Sequence, residues 1–386
     1  MNAKIPGLNM TYGRLVTHLS LLLLVILWTL PVLGLFISSL RDKDQLIVSG
    51  WWTALRTTER NQFGRTGTAD GQFERDGVYV IAGNFFKEGE HKTVKAYSDK
   101  QNDISAYRPG ETITLADDSR FTLQEDGSYE WVSSEPFDLT RGKRFFFVAK
   151  IPPRFALDNY REVLTSEGIG QSFINTFTVT IPATIIPILI AAFAAYAFAW
   201  MRFPGRQLLF AVVVGLLVVP LQMSLIPLLR LYNNVGVAFG VAAKSYPGIW
   251  LAHTGFGLPL AIYLLRNYIG GLPRDIIESA QLDGASHFNI FTRLILPLSV
   301  PALASFAIFQ FLWVWNDLLV ALVFLGKRAD QIVLTSKLRE LLGSRGDNWE
   351  ILTSSAFISI IVPLVVFFAL QRYFVRGLLA GSVKGG

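Results

Sequence analysis

The run HLSLLLLVILWTLPVLGLFISSL, His18 to Leu40, holds 23 consecutive residues without Asp, Glu, Lys or Arg. A helix of about 20 apolar residues, rising 1.5 Å per residue, spans a hydrocarbon core of roughly 30 Å. Within such a core every backbone polar group has to be satisfied by the chain itself, which leaves helices and closed barrels. Similar blocks recur, giving candidate spans at Leu15–Leu40, Ser172–Trp200, Gln207–Leu229, Tyr246–Leu265, Leu298–Leu325 and Ile351–Leu370. The first is too long for the 7–15-residue core of a signal peptide and lacks an A-x-A cleavage site, so it reads as an uncleaved span. Only 17% of the residues are charged and 51% are hydrophobic, against about a quarter charged in soluble domains. The expectation is an all-α polytopic membrane protein with six transmembrane helices.

Basic residues set the orientation. With the N-terminus inside, short cytoplasmic segments hold Lys4, Arg14, Arg202, Arg206, Arg266, Arg274, Arg293, Arg372, Arg376 and Lys384, against Asp275, Glu278 and Asp283. Both termini are then cytoplasmic, in a bacterial inner membrane. The loop Lys327–Glu350, with five basic residues, dissents. The net charge of +6 is thus spent on topology, and no nucleic-acid partner is expected.

Between the first two spans lies a long polar stretch, with 18 basic and 21 acidic residues from Arg41 to Gln171. GVYVIAGNFF, ETITLADDSRFTLQEDGSYEWVSS and KRFFFVAK are rich in β-branched and aromatic residues, and Asp117-Asp118-Ser119 and Glu125-Asp126-Gly127-Ser128 read as turns. This predicts a β-rich periplasmic insert. The domain reading is 1–45 for the N-terminus and first helix, 46–150 for the insert and 151–386 for the core. IPPRFALDNY reads as a stiff return linker. Prolines within the spans, and AAFAAYAFA at 191–199, suit helices that pack closely on other helices.

Several chemistries are excluded. There is no cysteine, and His18, His91, His253 and His287 show no metal-ligand spacing. Asp117 and Asp118 lack the full calcium-loop pattern and read as turn residues. No G-x-x-x-x-G-K-[ST], nucleophile elbow or zinc-hydrolase pattern occurs, so the chain is not read as an enzyme and carries no cofactor or metal. One candidate intramembrane acid and no inverted repeat leave an ion-coupled secondary transporter as the weaker alternative. Asn316 and Asp317 interrupt the fifth span. They lie either in the bilayer, where a carboxylate is a functional suspect, or at its wetted outer edge with Trp313 and Trp315. With Trp313 they are a possible substrate path, since amides and aromatic faces suit hydroxylated rings. His253 reads as a packed residue.

The most informative stretch is ESAQLDGASHFNIFTRLILPLSVPA, 278–302. Pro273 suits a helix start, and Asp275 and Glu278 place negative charge at its positive end. Ile276, Ile277 and Ala280 share a face, and Gly284 offers a left-handed stop. Ser286 starts a second helix with Phe288, Phe291 and Ile295 on one side, before Pro297 turns the chain into the fifth span. Physical reading ends at a surface elbow, which could simply lie on lipid.

ESAQLDGA followed by ILPLSVP resembles the signature of binding-protein-dependent ABC transporter permeases, with Ser279 replacing an alanine. NYREVL (159–164), FINTFTVT (173–180), YAFAWMRFPGR (196–206), FLWVWNDLL (311–319) and QRYFVRGLLAGSVKG (371–385) resemble the second permease subunit of maltose-type systems, nearest to alphaproteobacterial alpha-glucoside permeases. The resemblance covers 15–40 and 151–386; the insert is absent from most members. It implies sugar import powered by ATP and Mg on separate ATPase subunits. The helix 273–285 would couple to the ATPase through Arg274, Glu278, Ser279, Ala280, Asp283, Gly284 and Ala285. A tail bearing Gly381, Ser382 and Lys384 would be a second ATPase contact. The implied partners are a second, different permease subunit, two ATPase subunits and a periplasmic sugar-binding protein whose sugar site the 327–350 loop approaches.

Overall fold

The computed structural model describes residues 11–41, 43–165, 168–240, 242–344 and 348–382. Two compact units divide the chain, one formed by residues 1–160 with 347–354, the other by the rest.

In the first unit, α1 (Tyr12–Ser39) is apolar on all sides and leaves its leucines exposed, as a lipid-facing helix requires. A short helix α2 (Lys43–Val48) follows. Eight strands then build two antiparallel sheets. They are β1 (Thr58–Arg65), β2 (Phe73–Arg75), β3 (Val78–Asn84), β4 (Thr93–Ser98), β5 (Thr112–Thr114), β6 (Arg120–Leu123), β7 (Ser128–Ser133) and β8 (Arg144–Ile151). One sheet runs β1-β8-β4 and the other β2-β3-β7-β6-β5. Alternating apolar residues put Tyr97, Phe121, Leu123, Trp131, Phe145 and Phe147 into a shared core, where Phe121 and Phe145 stack with ring centroids 3.6 Å apart. Asp117 accepts the Ser119 N–H and hydroxyl, a turn role that leaves Ser119 Oγ to accept from buried Trp131 at 2.8 Å.

Chain exit and return meet at one place in this unit. Ala156 N–H donates to Leu40 O at 2.9 Å, and Arg41 pairs with Phe155 as an antiparallel bridge. The Arg41 guanidinium, 1% exposed, donates to Ser49 O, Gln45 O and Ser49 Oγ at 2.9–3.1 Å. Helix α3 (Asp158–Thr165) starts here, with Asn159 donating to Ser39 O and Arg41 O.

The second unit is helical: α4 (Ile169–Trp200), α5 (Arg206–Leu216), α6 (Leu221–Phe239), α7 (Tyr246–Ile269), α8 (Arg274–Leu282), α9 (His287–Ile290), α10 (Leu296–Leu298), α11 (Val300–Trp315), α12 (Leu319–Phe324) and α13 (Leu334–Ser344). The long helix α14 (Trp349–Ser382) continues into it. Buried Ala183, Ala191, Ala192 and Ala195 of α4 and Ala252 and Ala261 of α7 bring these two helices close. A Cβ on Gly257 would sit 2.6 Å from Gln310 Oε1, so glycine there makes room for a side chain that crosses from α11 to donate to Ala183 O at 3.0 Å.

Among the described residues four helices, α1, α4, α7 and α14, are long and apolar enough to cross a membrane. Two expected spans are not straight helices. The third bends by 107° between α5 and α6, where Pro220 lacks an N–H and restricts Val219 before it. The chain enters the fifth through a 70° bend at Ser299, two residues after the expected turn at Pro297. That span also stops at Trp315, because Asn316 and Asp317 redirect their side chains onto backbone groups.

Candidate functional site

The elbow is built from local rules. Asp275 lies in the first turn of α8. At the other end Gly284 takes φ +80°, Gly284 N–H donates to Gln281 O and Ala285 N–H to Ala280 O, both at 3.0 Å. That 5→2 and 6→1 pair closes the helix and needs the left-handed residue. Ser286 Oγ then accepts the Asn289 N–H and starts α9. After α9 the chain makes a π-helical turn, Phe291–Ile295, before Pro297, which has no N–H to give the ladder.

Ile277, Ile290, Phe291 and Ile295, each at most 3% exposed, join the core formed with α4 and α7. Ala280 and Ala285 pack against it. Arg274, Glu278, Ser279, Asp283 and Gly284 are exposed. Two expected facings differ. Ile276 does not share the buried face with Ile277, being 41% exposed, and Phe288, at 65%, points away from Phe291 and Ile295. The buried stripe centres between Ile290 and Phe291, which leaves Phe288 about 110° round the helix. Leu282 is 89% exposed and lies one turn from Glu278. Sequence reasoning missed it; the available signal was a leucine in register with a charged residue instead of with Ile277.

The interruption at Asn316–Asp317 is resolved inward. Asn316 Nδ2 donates back to Leu312 O at 2.8 Å. The Asp317 carboxylate accepts the Ala321 N–H at 3.1 Å, capping the first turn of α12, and its Oδ2 is 3.9 Å from His253 Nε2. His253 is fully buried, with the Trp313 ring set edge-on at 5.1 Å. Thr176, Thr180, His253, Trp315 and Asp317 line a narrow crevice. The structure therefore brings Trp313 and Asp317 together on His253 and leaves Asn316 exposed on its own helix. In the 327–350 segment, Asn175 of α4 donates to Ala329 O and Ile332 O at 2.9 Å. Gly381 and Ser382 fall in the last turn of α14; Lys384 lies outside the described residues.

Residues 172–379, which include the elbow and the Asn316–Asp317 break, match the family described as binding-protein-dependent transport system inner membrane component. The alpha-glucoside transport system permease protein AglG of Rhizobium meliloti is 68% identical over 369 residues, covering 96% of this chain and 97% of that protein. The osmoprotective compounds uptake permease protein GgtD of Synechocystis sp. is 47% identical over 373 residues, 97% of this chain and 93% of that one. Among solved structures, a bacterial ABC transporter involved in the import of the acidic polysaccharide alginate aligns at 22% identity and TM-score 0.48. That alignment covers 58% of this chain and 82% of its own.

Proposed function

The chain belongs to the family of binding-protein-dependent transport system inner membrane components, and on that premise we propose that it is a permease subunit of an ABC importer for alpha-glucosides. The substrate class rests on the 68% identity to an alpha-glucoside permease across nearly the whole length, insert included. The coupling mechanism rests on one observation, a helix with a buried anchor and a charged outer face. Ile277 holds α8 to the bundle while Arg274, Glu278, Leu282 and Asp283 stand clear of it.

In this reading each bent pair counts as one span, giving six, with both termini cytoplasmic and the β-rich insert periplasmic. A second permease subunit completes the pore, and a sugar-binding protein delivers substrate from the periplasm. Two ATPase subunits bind ATP and Mg, and their closure pushes on α8. Its motion tilts α7 and α11, which flank the elbow, and turns the cavity from one side of the membrane to the other. Gly381, Ser382 and Lys384 form a second contact with the ATPase dimer. No chemical step falls to this chain.

Reconstitution of the chain with its partners in proteoliposomes tests the reading. Uptake of an alpha-glucoside is expected only with binding protein outside and ATP on the ATPase side. Uptake that follows a proton or sodium gradient without ATP would overturn it.

A further inference from the structure

The residues on both sides of α8 are tied to the same helix. On α4, Trp200 Nε1 donates to Ile269 O at 3.0 Å, four residues before α8 begins at its Pro273 cap. One turn earlier on α4, the Tyr196 hydroxyl bonds to His287 Nδ1 at 2.9 Å, just after α8 has closed. Tyr196 and Trp200 are four apart and so share a face. Tyr196 is 4% exposed, and its ring packs 5.5 Å from Phe291, which Phe193 meets at 4.5 Å.

Between these two bonds the elbow has little slack. The Gln281–Gly284 and Ala280–Ala285 bonds close α8 onto the short turn that leads to α9. Beyond the second bond comes the π-helical turn Phe291–Ile295, a kind of irregularity often found at functional sites, and its Phe291 packs on Tyr196 and Phe193 of α4. The segments flanking α8 are thus bonded to α4 through Tyr196 and Trp200, and Ile277 of α8 shares a core with that helix. Helix α4 is in turn joined through Gln310 to α11 and through its close alanine contact to α7.

We propose that α4 is the lever of this transporter, and that Tyr196 and Trp200 are positioning residues that clamp the coupling elbow to it. The inference rests on the reading of α8 as the ATPase contact. Breaking the clamp leaves docking intact and loosens the elbow on the bundle, where Ile277 and Phe291 still seat it, so ATP is hydrolysed with less sugar moved.

The test measures sugar imported per ATP hydrolysed, together with affinity of the permease for the ATPase, in the reconstituted importer. Tyr196→Phe and Trp200→Phe keep a ring and remove one hydrogen bond each. Each is expected to lower the ratio about threefold and the pair about tenfold, in line with the usual worth of a hydrogen bond. His287→Asn, which keeps a polar atom near the Nδ1 position, should retain most of the ratio where His287→Ala loses it. An unchanged ratio in the double variant would overturn the proposal. Loss of assembly would overturn it equally, because the bonds would then hold the fold and transmit nothing. Glu278→Lys in the same assay separates the two readings. If it leaves docking and uptake intact, the elbow is not the ATPase contact. If it abolishes them while the double variant is normal, only the lever is wrong.

Discussion

Two of the breaks in the apolar pattern, at α8 and after α11, treat their charge in opposite ways. At α8 the charged residues are left unengaged: among the described residues Arg274, Glu278 and Asp283 form no ion pair, and the apolar Leu282 stands among them. At the break after α11 the polar groups are consumed internally, Asn316 by its own helix and Asp317 by Ala321 N–H with His253 beside it. A polar group that has found its partners inside the chain serves the fold. One that is held rigidly and left without a partner points to something outside.

That contrast can be broken most directly at Glu278. Glu278→Lys should reduce ATP-driven uptake by about a hundredfold or more, yet shift the thermal unfolding of the purified chain by no more than ~0.5 kcal/mol, as befits an exposed surface position. A comparable loss of stability would erase the distinction. Leu282→Ala should weaken ATPase binding by about tenfold, since burying a leucine contributes roughly 1.5–3 kcal/mol; titration of the ATPase onto the reconstituted permease reads this. The break should behave in reverse. Asp317→Ala removes a cap worth about 0.5–2 kcal/mol and lowers the unfolding temperature while ATPase affinity holds, and Asp317→Asn, which keeps an acceptor, should restore most of it.

The smallest effect concerns a third way of treating charge, in the β-rich insert. Ser128 donates its hydroxyl and N–H to Asp126, and these hold the carboxyl below its ordinary value of 3.8. Because the folded form has the lower pKa, its stabilisation is complete above the unfolded value and fades as pH falls through the folded one. The difference in unfolding temperature between the wild type and Asp126→Asn, present at about pH 6, should therefore shrink as the pH is taken below the ordinary value of 3.8.

The elbow was legible because every signal for it is local: Asp275 at the helix start, Gly284 at its end, Ser286 as the next cap. The strands were legible for a similar reason, with turns at Asp117–Ser119 and Glu125–Ser128 between alternating apolar runs. What escaped reading depends on neighbours far away in sequence. A run from Gln207 to Leu229 without Asp, Glu, Lys or Arg hints at a 107° bend only through its prolines, and proline within a membrane helix is usually tolerated. The outward turn of Ile276 and Phe288 depends on which neighbours Ile277, Ile290 and Phe291 find in the core, and a short apolar run does not show which of its members takes that face. Nor does spacing reveal that Asp317 meets His253, some sixty positions earlier, or that Tyr196 and Trp200 bracket α8.

The buried Arg41 and its neighbours carry one last consequence. Leu40 and Ala156 are hydrogen-bonded to each other, so the whole intervening segment begins and ends at a single seam. A helix–loop–helix backbone could be cut there and rejoined with a short turn, because lengthening a loop costs only a slowly growing entropy. The segment is a closed excursion whose two ends are already joined by backbone pairing.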